Sequence, residues 1–364
     1  METSGTFSYL QANNTKVQQM STHNTQPESH QTPTGTHRAV GYAPAPEEGH
    51  RAHPLKGILF CLLAVVLWGA MYPVADHLAH TVNMFHATLI RYGTVALILA
   101  AMLYKAEGAA AFRLEGHGVK LWLLGSAGFG GFGLTALTAL SYTSSTNISL
   151  MMATMPAISA VIAGIATRTL PPRYTMAAIV IAFAGVSLVL TEGDYTHLIS
   201  AHDSLGVGLA LFAAVCWVLY TRGSSSYEHW STLRFSALTT LLSVPSIAAA
   251  TLIATAVGYI QPPSLQDVLG GWAELGYLII FAGLLAVMWW NEGNKIIGPV
   301  NGTLFVNLEP VTTFVVVACM TATLPSLPAI AGSLLVIAGL VMNNLYVRRE
   351  LKKAEQQALE ASNS

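Results

Sequence analysis

The sequence predicts an all-α integral membrane protein with ten transmembrane helices, arranged as two inverted five-helix repeats. Three observations carry that prediction: a shortage of charge, a succession of apolar runs of bilayer length, and an internal repeat at a fixed offset. Of the 364 residues, 53% are hydrophobic and 10% charged, with a mean hydropathy of +0.52. A soluble domain carries about a quarter charged residues. The charges are also segregated, since residues 1–54 and 348–364 hold seven each and leave 21 for the 293 residues between them. Such a middle cannot cover a water-facing surface, which excludes a soluble enzyme or a disordered chain. A net charge of −1 and a pI of about 6.9 exclude a basic field that would gather nucleic acid.

A bilayer core needs about 20 apolar residues per helix, with every backbone polar group paired internally. The first run, 56–75, contains Trp68 and Tyr72, and the second, 84–104, contains Arg91. The third, 119–141, includes Gly128-Phe129-Gly130-Gly131-Phe132-Gly133. That string imitates a dinucleotide fingerprint, but no strand precedes it and no acid follows before Glu192. Small residues that let helices approach closely explain it. The fourth and fifth runs are 147–167 and 174–191; the sixth, 205–221, contains Trp217 and Tyr220. The remaining runs are 232–256, 273–291, 300–320 and 326–347. Alternation at strand period is absent, which excludes a β-barrel.

The segments outside these runs are read as tails. Residues 1–54 are rich in Thr, Ser, Gln, Asn and His and are expected to be a disordered cytoplasmic tail. His23, His30 and His37 recur every seven residues, which a solvated tail explains without a metal. No apolar h-region lies in this stretch, so the first apolar run is expected to serve as an uncleaved signal anchor. Cys61, Cys216 and Cys319 each sit in an apolar run and read as packing residues, not as disulfides or zinc ligands. Residues 348–364 form a basic cytoplasmic tail.

With a cytoplasmic N-terminus, fifteen of the seventeen Lys and Arg residues fall on the inner side of this topology. The other two, Arg91 and Arg234, fall within or at the edge of helices. A wrong span count would scramble this asymmetry, so both termini are expected inside. The repeat agrees. Shifting residues 147–187 by 154 positions onto 301–341 gives 11 identities in 41 positions, among them Asn147 on Asn301 and Pro156 on Pro310. Upstream, Ala64-x-x-x-Trp68 faces Ala213-x-x-x-Trp217, with Tyr72 near Tyr220. Five helices is an odd number, so the copies, 55–191 and 205–347, must enter the membrane in opposite senses. Inverted repeats of this kind build many secondary transporters, with the substrate path between the halves.

The chain resembles the EamA-type drug/metabolite transporter family. The resemblance rests on Leu67-Trp68-Gly69-Ala70-Met71-Tyr72-Pro73, Leu89-Ile90-Arg91-Tyr92, and Ala139-Leu140-Ser141-Tyr142-Thr143-Ser144 running into Asn147 and Pro156. The second half supplies Trp290-Asn291-Glu292-Gly293, Gly298-Pro299 and Glu309-Pro310. It implies an inner-membrane carrier, often an exporter of amino acids or other small metabolites, working by alternating access. One departure is that Thr169 and Thr323 stand where the family commonly has a glutamate before helices five and ten.

Candidate functional residues are those whose presence in a bilayer is expensive. A lone Glu309 near the centre costs about 2.5–3.5 kcal/mol on insertion scales. It is a proton-coupling group or an amine counter-ion, or else pairs structurally with Asn147, Asn301 or Asn307. Arg91 faces the same penalty and either binds a substrate carboxylate or pairs with an acid. Pro156 and Pro310, about nine residues into their helices, are expected to break them near the midplane and free the carbonyls of Met152 and Val306. Trp68, Tyr72, Trp217 and Tyr220 line the cavity or belong to interfacial belts. Arg234, Glu292 and Lys295 rank lower because they lie at helix ends. No hydrolase motif or phosphate-binding loop is present, so an ATP-driven pump and an enzyme are not expected.

The expected protein is therefore a secondary carrier exporting a small zwitterionic or amphipathic metabolite by proton antiport. It needs no cofactor and no metal. Its partners are the lipid bilayer and a small-molecule substrate, with no nucleic acid and a homodimer left open. An uptake or exchange carrier, or a sensor or scaffold of the same fold, remains an alternative.

Overall fold

The computed structural model describes residues 54–168, 173–191, 193–194, 201–322 and 326–362. The tail histidines, Thr169 and Thr323 lie outside these residues. Among the described residues all regular structure is helical. In chain order the elements are α1 (Pro54–Ala79), α2 (Met84–Glu107), α3 (Gly118–Ser141), α4 (Ser145–Met152), α5 (Met155–Thr167) and α6 (Arg173–Thr191). The second half follows with α7 (Ala201–Ser224), α8 (Thr232–Ala256), α9 (Leu265–Gly270), α10 (Trp272–Ile297), α11 (Asn301–Thr321) and α12 (Leu327–Ser362).

Seven of these, α1, α2, α3, α7, α8, α10 and α11, are long and apolar enough to cross a bilayer. Met155–Ile165, Arg173–Gly185 and Ile330–Gly339 are shorter apolar stretches. Against the ten spans expected from the sequence, the described residues show seven helices of bilayer length and three shorter apolar segments. The fourth run is cut by a turn at Ala153–Thr154. The helix starts follow side-chain chemistry. Asn83 Oδ1 accepts the Phe85 amide at 2.9 Å, and Ser231 Oγ accepts the Arg234 amide at 2.9 Å. Ser264 and Asp267 close a reciprocal capping box at the start of α9, whose hydrogen bonds hold the Asp267 carboxyl below the usual range.

The repeat is visible in the way the helices end. The helical segments Met155–Thr167 and Glu309–Thr321 are offset by the 154 positions of the sequence repeat. Each has its proline at the second position and ends on a left-handed non-glycine residue, Arg168 at φ 55° and Ala322 at φ 54°. Both prolines lie at helix breaks. They stand in a first turn, where the amide is an orphan in any helix, and do not kink a continuous one. Before Pro310 the chain runs as a 3₁₀ turn over Leu304–Leu308, and the freed Val306 carbonyl accepts the Glu309 amide. A left-handed alanine costs about 1–2 kcal/mol that glycine avoids. Ala322→Gly is therefore expected to raise the melting temperature of the purified protein by a few degrees.

The helix pairs exchange with one another when the halves are swapped. Helix α1 packs on α10 and α11, as α7 packs on α3 and on α4; α2 packs on α8, and α6 on α12. Small residues permit the approaches. A Cβ at Gly125 would sit 2.0 Å from the Thr239 carbonyl oxygen, and one at Gly185 would sit 2.5 Å from that of Gly332. The third helix of each half also widens into a π-helical stretch, Ser126–Gly131 in α3 and Tyr277–Leu285 in α10. Single π turns frequently mark functional sites.

Candidate functional site

The two π stretches are each met by an aromatic pair from the first helix of the other half. Trp68 of α1 donates its indole N–H to the Ala282 carbonyl at 3.0 Å, inside the α10 stretch. Tyr220 of α7 lies over Gly128, where a Cβ would come within 2.5 Å of its ring. The glycine string is thus a packing surface for a ring, as the small-residue reading predicts. The pairs join at the centre of the bundle. Trp68 and Trp217 meet edge to face with centroids 5.1 Å apart, and Trp290 stands 5.2 Å from Trp68. Phe129 and Phe132 extend the stack to Tyr220 and Trp217 at 5.0 Å each. Trp68, Tyr72, Trp217, Tyr220 and Trp290 are all buried. Polar edges of this stack are held in place, with Trp290 donating to Thr221 at 3.1 Å and Asn291 donating to both Tyr220 and Ser236 at 2.8 Å.

Beside the stack lie two buried charges. Arg91 is 1% exposed and Glu309 3% exposed, yet among the described residues neither makes an ion pair. Arg91 donates to the Met71 thioether at 3.1 Å and lies 4.7 Å over the Tyr92 ring, while its Nε has no acceptor. The alternative of a structural acid for Arg91 is therefore not met. Tyr72, fully buried, lies within interaction range of both charges. Its hydroxyl faces the Glu309 carboxyl without closing a hydrogen bond of ordinary geometry. Glu309 opens its helix, where the backbone dipole favours a carboxylate.

The three amides named from sequence do not pair with Glu309. Asn147 donates to Thr143 at 2.8 Å and Asn301 to the Ile297 carbonyl at 2.7 Å. Asn307, in the 3₁₀ turn, leaves its Oδ1 without a partner and shares a void of about 10 Å³ with Thr154 and Pro156. That volume is about one water. The helix breaks of the two halves therefore abut each other.

Sequence reasoning missed a polar network at the end of the bundle formed by residues 108–117 and 225–231. Arg234 donates to the Ala111 carbonyl at 2.9 Å, to the Arg113 carbonyl at 2.7 Å and to Glu115 at 2.7 Å, and lies 4.0 Å over Trp230. Trp230 donates to the other Glu115 oxygen at 3.1 Å, and Lys295 donates to the Trp230 carbonyl at 2.8 Å. Ser231 and Thr232 add hydrogen bonds to Glu107 and Glu292. The Arg234 hydrogen bond, then that of Trp230, holds the Glu115 carboxyl below the usual carboxylate range. This latch ties α2 and α3 to α8 and α10.

The opposite end carries residues 80–83, 142–144 and 257–264. Here one His77–Glu274 contact at 2.7 Å joins α1 to α10. A cavity of about 390 Å³ opens between α2, α3, α7 and α8, rimmed by Phe85, Tyr142 and Tyr259. An ionic and hydrogen-bonded network thus holds one end of the bundle, and the His77–Glu274 and Tyr142–Tyr259 contacts cross the other.

Comparison with known proteins agrees with this architecture. The profile of the EamA-like transporter family matches twice, over residues 55–191 and 204–345. The chain is 37% identical over 298 residues to the uncharacterized transporter YrdR of Bacillus subtilis (strain 168), covering 81% of this chain and 92% of that protein. It is 27% identical over 295 residues to the uncharacterized transporter YyaM of the same organism, covering 80% and 95% respectively. A solved structure described as "Crystal structure of protein" superposes with a TM-score of 0.64 at 19% identity, over 80% of this chain and 98% of that one, which establishes the shared fold. This multi-pass membrane protein belongs to the EamA-like transporter family.

Proposed function

We propose that the chain is a secondary-active carrier that exports small zwitterionic or amphipathic metabolites by alternating access, with proton antiport. In this reading its ten helical segments form two inverted repeats in the inner membrane, with both termini cytoplasmic. The single observation that carries it is the pair of buried charged residues near Tyr72, Arg91 and Glu309, neither of which has an ion partner among the described residues. A fold that desolvates two opposite charges and leaves both without an ion partner has reserved them for something that comes and goes. Arg91 suits a substrate carboxylate. Glu309 suits either the substrate amine or a proton, and alternation between those two is antiport. With the N-terminus inside, the latch faces the cytoplasm and the open cavity faces out.

Purified protein in liposomes, offered a panel of amino acids and small amphipathic amines under an imposed pH gradient, should move at least one class of them. Glu309→Gln should flatten the pH dependence of that flux. Absence of flux across the panel counts against the carrier, and an unchanged pH profile in the variant counts against Glu309 as the coupling group. A sensor or scaffold is the second reading, favoured by the close-packed Trp68–Trp217–Trp290 centre. It predicts a folded protein with no flux at all.

A further inference from the structure

Threonines in this bundle ordinarily donate to their own helix. Thr312 bonds to the Leu308 carbonyl at 3.1 Å and Thr240 to that of Ser236 at 2.7 Å, each four residues back. Thr313 does otherwise. Fully buried, it donates across to α1, to the Gly69 carbonyl at 2.7 Å.

The acceptor explains the exception. Pro73 lies inside α1 and removes the amide that would reach the carbonyl four residues back, which is that of Gly69. A carbonyl freed within a bilayer needs another donor. Helix α11 supplies it, one turn beyond Glu309. Gly69 permits the approach, since a Cβ there would sit 2.5 Å from the Thr312 Cβ and 2.9 Å from the Glu309 carbonyl oxygen. The proline break of α1 is therefore docked on the turn that Glu309 opens. Tyr72, beside that break, meets the Glu309 carboxyl across the same contact.

The other half lacks this arrangement, although α5 packs on α7 as α11 packs on α1. At the 154-residue offset Thr313 falls on Ser159 and Glu309 on Met155. With Trp68 set on Trp217, Gly69 falls on Val218 and Pro73 on Arg222, and α7 contains no proline. No carbonyl is freed there. Ser159, 1% exposed, leaves its hydroxyl without a partner among the described residues. Acid, proline and inter-helix hydrogen bond thus occur together in one half and are missing together from the other. Packing common to both halves does not call for the bond.

We propose that Thr313 is a positioning residue for Glu309. Its bond to the proline-freed Gly69 carbonyl fixes the register of α11 on α1, and so keeps the carboxyl against Tyr72 and shielded from lipid and water. That Glu309 couples protons to flux rests on the carrier reading; that Thr313 sets its place does not.

The test uses the full chain in lipid nanodiscs and dicyclohexylcarbodiimide, an apolar reagent for buried carboxyls. The adduct at Glu309 is followed by mass spectrometry at one fixed pH, with Glu309→Gln as the blank. Thr313→Val removes the hydroxyl at nearly constant shape and should raise the labelling rate about fivefold, by populating undocked states. Thr313→Ser should restore the wild-type rate. Ser159→Val, at the same repeat position in the other half, should leave it unchanged. Pro73→Ala returns an amide to the Gly69 carbonyl, so in that background Thr313→Val should change the rate by less than about twofold. If Thr313→Val does not fold, Thr313→Ala carries the same expectation. A merely structural Thr313 would lower the melting temperature and leave labelling of the folded protein unchanged, and that result overturns the proposal. So does an equal rise in Ser159→Val, or the full effect of Thr313→Val in the Pro73→Ala background. Flux with unchanged labelling removes the positioning role and leaves the carrier; the expected labelling without flux in the wild type keeps the role and removes the carrier.

Discussion

Arg91→Met should abolish flux, by at least about a hundredfold, while raising the melting temperature of the protein. The two effects have opposite signs, and that is what makes the variant informative. A buried guanidinium without a carboxylate partner pays for desolvation with one thioether contact and one aromatic face. Methionine has comparable reach, fits beside Met71 and Tyr92, and removes the buried charge. Replacing buried charges by well-packed apolar groups is often neutral or stabilising by about 1–4 kcal/mol. If Arg91 instead holds the bundle together, Arg91→Met will melt lower and lose flux only in proportion to unfolded protein. Thermal unfolding followed by tryptophan fluorescence, set beside flux per folded molecule, separates these outcomes. Arg91→Lys is a useful companion. It keeps the charge but loses the planar fork, so a substrate carboxylate should be bound less tightly with the fold unaffected.

What could be read from the sequence followed from strong, local or periodic signals. Charge scarcity and apolar run length identify a multi-pass helical protein, and the 154-residue offset recurs in the helix bounds Met155–Thr167 and Glu309–Thr321. The cost of burying charge singled out Arg91 and Glu309, and both are buried. Trp68 and Trp217, matched in the repeat and read as cavity or belt residues, meet edge to face in the structure, a contact the repeat alone does not predict. What the sequence hid was of two kinds. The π stretches have no composition of their own: Ser126–Gly131 reads as small-residue packing and Tyr277–Leu285 as an ordinary apolar helix. The Arg234–Glu115–Trp230 network joins residues more than 100 positions apart. Arg234 taken alone looks like a residue that snorkels, and nothing near it in sequence names Glu115. The prolines show the same limit. Position along an apolar run gives depth, but only the backbone reveals that each proline begins a new helix.

The latch supplies the second large effect. For the bundle to open at the 108–117 end, Arg234 must leave Glu115 and both carbonyls, and Trp230 must swing from the loop it bridges. Protonation of the latch itself does not release it in the physiological range. The Glu115 carboxyl titrates below the ordinary glutamate value in the folded protein. The stability it contributes is therefore fully present above that ordinary value and is lost only as pH falls through the lower, folded one, below about pH 4. In the antiport proposed above, a gradient between pH 5 and 8 therefore acts at a group other than Glu115. Removing the latch by mutation should have the effect that protonation cannot. In a background where Cys61, Cys216 and Cys319 are alanine, Thr221→Cys places a thiol at a fully buried site beneath the network, beside Trp290. Adding Arg234→Ala should raise its rate of maleimide labelling at least about tenfold, by populating a state open at that end. Arg234→Lys should fall between, since it keeps a charge for Glu115 but cannot reach two carbonyls at once. Lys105→Ala, a charge removed outside the network, should leave the rate alone. An unchanged rate in Arg234→Ala would mean that the Trp217–Tyr220–Trp290 stack closes this end by itself and the latch only decorates it.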